Sequence, residues 1–178
     1  VGIPSEAQVA WGHPLSVAMY AWPEAPERAN AGLRRWASEH VDGKASTHLV
    51  SVQLARMALR LDDRPALAEA ARLLELHTAV RDIPPQRARS AWLQGLVVDD
   101  PAAVEHAAQT LEDLGLKLQA SDAWADAALM AARSGVDSMA AARAAALIED
   151  MGIEPWLGPL PETRWLVSVG GRGETSAV

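Results

Sequence analysis

Residue types return at a step of 37 positions through the second half of this chain. Leu74-Glu75 is matched by Leu111-Glu112 and then by Ile148-Glu149, and Asp63 by Asp100 and Asp137. Two further columns hold small residues: Ala58, Gly95 and Ala132, then Ala70, Ala107 and Ala144. A fixed period of this length means one supersecondary unit, repeated, that hides its apolar face only against its neighbours. That single feature excludes most architectures, because each unit must be small, self-similar and stackable.

Within the period the apolar residues recur three and four apart, the spacing of one helix face. Proline and glycine cut the chain into pieces of ordinary helix length. The pattern predicts helices near 5–21, 25–39, 47–61, 65–80, 85–97, 101–114, 118–133 and 137–151. Pro26, Pro65 and Pro101 open helices, because a first turn needs no amide donor and proline already holds a helical φ. Asp100 is placed to cap the helix behind it, its carboxylate accepting from the free amides of the first turn. Gly115, Gly135 and Gly152 follow periodic stretches, where a left-handed closing residue is cheapest as glycine. Only the run from Trp165 to Val169 reads as a strand, and it has no partner to pair with. The expectation is an all-α chain of about eight helices.

The columns also carry a packing logic. A small residue in each helix of a pair lets the two backbones approach, and a large apolar residue follows four positions after the second small one. This arrangement resembles the tetratricopeptide repeat, a helix–turn–helix unit of about 34 residues. The period here is longer, and the usual aromatic positions are mostly replaced. Around 5–39 a further helix pair is expected, with Ala29, Leu33 and Trp36 keeping the spacing and the linker 41–46 breaking register. The fold class is therefore expected to be a right-handed α-solenoid of about four pairs over 1–154, with an irregular tail over 155–178.

Composition removes several function classes. The 178 residues are 49% hydrophobic and 22% charged, enough to bury a core and a poor fit to disorder. No cysteine occurs, so disulfides, thiolate metal sites and a cysteine nucleophile are excluded. A net charge of -7 opposes nucleic-acid binding, which asks for a basic face against phosphates. Charges or prolines interrupt every apolar stretch before it reaches the roughly 20 residues of a membrane span. No basic start precedes an apolar run, and the chain is expected to be cytoplasmic.

Residues 88–135 carry a resemblance. Asp100-Pro101-Ala102-Ala103, then Glu112-Asp113-Leu114-Gly115, then the alanine-rich helix from Ala123 to Ala132 and an arginine/alanine helix from Ala140 to Ile148 are similar to the helical region of large LuxR-type regulators of actinobacteria. In such regulators an ATPase module precedes a helical-repeat sensor arm, and a helix-turn-helix follows it. The resemblance spans about residues 40–160 and implies the arm alone. Leu160-Pro161-Glu162-Thr163-Arg164-Trp165 stands where the DNA-binding helix would start, and no helix-turn-helix follows within the sequence. A P-loop is absent too: around Gly43-Lys44, Ser38 replaces the leading glycine and Ala45 the hydroxyl residue that would hold magnesium. With both modules missing, the expectation is the arm alone, as an excised piece, a truncated product or a free-standing relative. Val1 in place of an initiator methionine is expected to mark a cropped start, a processed start or an unusual start codon.

The chemistry-bearing residues read mostly as structure. His13, His40, His48, His77 and His106 show no i,i+4 pair of the kind that holds a metal on a helix, and no metal or cofactor is expected. His77 falls in an apolar column and is expected to be a partly buried core residue, whereas His106 is expected at the surface. The pairs Asp62-Asp63 and Asp99-Asp100 suit helix capping better than acid/base work, because both lie at helix junctions. Glu75, Glu112 and Glu149 are expected as a solvated ridge, and Arg56, Arg60 and Arg64 as a solvated stripe on one helix face. No serine nucleophile motif is present.

Tryptophan is the remaining signal. Trp92 and Trp124 occupy first helices of consecutive pairs, where large rings fill the gaps that alanines leave or else face a ligand groove. With Arg56 and Arg60 they form the groove set expected to contact a partner or effector. Trp11, Trp22 and Trp36 gather in the first pair, through which a homodimer is expected. The function expected is a non-catalytic module that binds a protein partner or small effector on its concave face, without touching nucleic acid or membrane. Two other readings stand beside it: a free-standing adaptor for a protein segment, and a small enzyme with its site near His40 and His48.

Overall fold

The computed structural model describes residues 47–152 of the chain, with side chains from Ser51 onward. Among the described residues there are six helices and no strand. They are α1 (Thr47–Arg60), α2 (Arg64–Val80), α3 (Pro84–Val98), α4 (Pro101–Asp113), α5 (Lys117–Ser134) and α6 (Ala140–Asp150). The protein is all-α over this span, and the expected helices from 47 onward appear within a few residues of their predicted ends. The two expected at 5–21 and 25–39, with Trp11, Trp22 and Trp36, lie outside the described residues. So does the tail.

Two compact units divide the chain between Gln86 and Arg87, in the first turn of α3. In the first, α1 packs against α2 through a core that includes Ala55, Ala58, Leu67, Ala70 and Leu74. In the second, α4 packs against α5 and α5 against α6. Its core holds Trp92, Leu93, Leu96, Val104, Leu111 and a layer of alanines from α5. Burying one large side chain of this kind contributes about 1.5–3 kcal/mol.

The turns explain why the pairs form. At the end of α1 the Asp63 amide donates to the Ala58 carbonyl at 2.9 Å, and Asp62 holds φ 55°. One period later the Asp100 amide donates to the Gly95 carbonyl at 3.0 Å, and Asp99 holds φ 60°. This is the left-handed closure that usually recruits glycine, here carried by aspartate, which tolerates that region better than most side chains. The second aspartate of each pair then opens the next helix. Asp63 Oδ1 accepts from the Ala66 amide at 3.0 Å, and Asp100 Oδ1 from Ala102 and Ala103 at 3.0 and 3.1 Å. One acidic dipeptide thus ends one helix and caps its successor, as the capping reading expects.

The third turn departs from the 37-residue columns. After α5 the closing bond runs from Val136 to the Ala131 carbonyl, and Gly135 takes the positive φ of 66°. The closure comes one residue early, so Ala131 is buried at 2% exposure while the predicted Ala132 is exposed. Asp137 is exposed as well, and the cap passes to Ser138, whose Oγ accepts from the Ala140 amide at 3.0 Å. Downstream the register recovers: Ala70, Ala107 and Ala144 are all buried. The two-residue delay in starting α6 absorbs the slip.

Candidate functional site

Within the second unit, side chains join helices one period apart. Ser138 donates to Glu105 Oε1 at 2.6 Å, and Arg143 Nε donates to Glu112 Oε2 at 3.0 Å, so α6 lies along α4 in the same direction. Arg143 Nη2 also donates to Glu112 Oε1, completing a two-pronged pair. Arg89 Nε donates to Gln119 Oε1 at 2.6 Å and sets α3 beside α5. Lys117 Nζ meets Asp150 Oδ2 at 2.5 Å, tying the start of α5 to the end of α6. These bonds cross between a helix pair and the next, or lock a pair together at its open end.

Gly95 governs the α3–α4 approach. A Cβ there would stand 2.8 Å from Val104 Cγ2 and 3.1 Å from the Val104 amide nitrogen. Only a residue without a side chain lets the helices come this close. The small-residue column therefore has a direct steric cause at this crossing.

The four groove residues separate. Trp92 is fully enclosed, at 0% exposure, and has the packing role rather than a surface one. Arg56 is buried at 3% exposure, so the expected solvated stripe does not exist. Arg60 is half-buried, with Nη1 donating to the Arg56 carbonyl at 2.6 Å. Arg64 has passed into α2 and pairs with Asp62 at 3.7 Å. The periodicity placed these arginines on one face, but it could not tell that this face turns inward at Arg56.

Trp124, like Arg60, keeps a partly open face. Its ring is half-buried on α5, and Nε1 donates to Glu112 Oε2 at 3.4 Å. Glu112 is thus engaged from two sides, by Trp124 and by Arg143, with its side chain 15% exposed. The expectation of a solvated glutamate ridge fails at this position, because the third helix pair brings an arginine to it. Glu75 and Glu149 are exposed. His77 is half-buried and His106 exposed, as expected. His40, and the side chain of His48, lie outside the described residues.

Arg89 is not among the residues singled out in the sequence. The structure buries it to 7% exposure on α3, facing Gln119 of α5. Burial pushes its guanidinium below the usual arginine range, and among the described residues no carboxylate offsets the cost. No signal at that position distinguishes it from Arg87, which is exposed two residues earlier. Only its place on the inward side of the helix wheel could have raised the question.

No group of histidines and carboxylates suited to a metal ion occurs among the described residues. No described helix is long and apolar enough to cross a membrane. Comparison with known proteins finds no matching family model, no matching curated protein and no matching solved structure.

Proposed function

We propose that this chain is a non-catalytic binding module, a right-handed solenoid of tetratricopeptide-like helix pairs that takes a partner or small effector on the surface of its first helices. The observation that carries the reading is the stacking of α5 and α6 on α3 and α4 by side-chain bonds 30 to 33 residues apart in sequence. Pairs stacked in this way present their first helices side by side, the surface on which helical repeats hold ligands. Resemblance to the sensor arm of LuxR-type regulators supports a signalling role. A bound effector would then act by preferring one state of the parent protein over another.

The test is a thermal-shift and tryptophan-fluorescence screen against sugars, nucleotides and short peptides. A saturable response is expected, and it should weaken in Trp124→Phe with the helical circular dichroism unchanged. Turnover of any of these compounds by the purified chain would overturn the reading. So would a screen without a single saturable response.

A further inference from the structure

Arg89 and Gln119 bring together more hydrogen-bond donors than their one mutual bond uses. Arg89 is nine-tenths buried, and its one polar partner among the described residues is Gln119 Oε1, held by Nε at 2.6 Å. That bond uses the amide oxygen of Gln119, so its NH2 group is turned to the other side as a further donor. The terminal nitrogens of Arg89 are not among the fully enclosed, unpartnered side-chain atoms of the described residues. A buried guanidinium is normally matched by a carboxylate, because an unmatched charge is expensive to desolvate. Among the described residues the protein supplies a neutral amide instead, and the forked end of the guanidinium takes no protein acceptor.

We infer that Arg89 and Gln119 are a recognition site for a carboxylate, held between α3 and α5 on the binding surface. Two parallel N–H groups at the guanidinium tip match the two oxygens of a carboxylate in spacing and plane. Gln119 locks the guanidinium through Nε, so the tip is oriented before the ligand arrives and less side-chain entropy is lost on binding. The inference rests on the proposal that the first helices form the binding surface, and it names the chemical group that surface takes.

The experiment follows the Arg89 Nε–H cross-peak of the full chain by nitrogen-15 NMR during titration. The probes are N-acetyl-tetraalanine with a free carboxylate, the same peptide as its C-terminal amide, sodium acetate and inorganic phosphate. The expected result is a saturable shift with the acid peptide and none with the amide. A response to acetate as well would mean that a free carboxylate suffices, and a response to the peptide alone that its backbone is also read. Arg89→Met should weaken binding by about tenfold or more, and Arg89→Lys by less, since the charge stays and the fork is lost. Gln119→Leu, which leaves Arg89 in place, should also weaken it and guards against an Arg89 variant that fails to fold. Equal binding of acid and amide, a response to phosphate alone, or affinity untouched in folded Arg89→Met would overturn the inference. No response to these probes, with a hit elsewhere in the wider screen, would overturn it and leave the binding module standing.

Discussion

Gly95 shows how one residue sets a distance between helices. Glycine inside a helix costs about 1 kcal/mol against alanine, so its presence in α3 asks for a compensating gain. That gain is the close approach to Val104, whose branched side chain has little rotamer freedom to retreat. Gly95→Ala is expected to lower the stability of the protein by about 1–2 kcal/mol, despite the better helix propensity. Urea denaturation would read it, and the cost should shrink in a Val104→Ala background, where the 2.8 Å contact is gone. Equal cost in both backgrounds would mean that the Val104 amide, not its methyl group, sets the limit. Trp92 teaches the converse at the same scale: the ring seen in the sequence as either packing or recognition is closed off completely.

At the scale of the element, the aspartate pairs divide their labour. Asp99 closes α3 and Asp100 opens α4, so substitutions at the two positions should act in opposite directions. Asp99→Gly is expected to stabilise by a few tenths of a kcal/mol, because glycine holds a positive φ without strain. Asp100→Ala is expected to destabilise by about 1 kcal/mol through loss of the cap. At the third turn the cap has moved, so Asp137→Ala should change stability by less than about 0.5 kcal/mol while Ser138→Ala costs about 1 kcal/mol. Thermal melting of the four variants checks the whole set. The boundaries of these helices were legible because caps and breakers are local: they depend on residues within one turn of each other. The slip at Ala131 was not, because the sequence holds alanine at both 131 and 132 and either could face inward.

At the scale of the molecule, two carboxylates among the described residues are held by cations and tie stability to pH. The hydrogen bond from Lys117 holds Asp150 below its usual range, and the one from Arg72 does the same for Glu69. A carboxyl with a lowered folded value binds its proton less readily folded than unfolded. Its contribution is therefore present at neutral pH and is lost as pH falls through the carboxylate range. Lys117→Met is expected to lower stability slightly at pH 7 and to converge with wild type as pH falls through the carboxylate range, which flattens the acid limb. The difference is small because the pair is exposed and surface pairs contribute little. Melting temperature against pH in wild type and variant measures it, and parallel acid limbs would remove Lys117 from the account.

Helix content, most helix ends and the pairing of helices were written in the sequence by itself, since they arise from periodicity, caps and breakers acting over a few residues. The four-residue groove set was not. Whether Arg56 meets solvent, whether Trp92 keeps a free face, and whether Glu112 is bare or clasped by Arg143 all depend on helices far along the chain. Arg89 is the clearest case, because its burial against Gln119 is created by α3 and α5 meeting across 30 residues of chain. Local rules choose what each segment becomes, and only packing chooses which of its side chains are left to act.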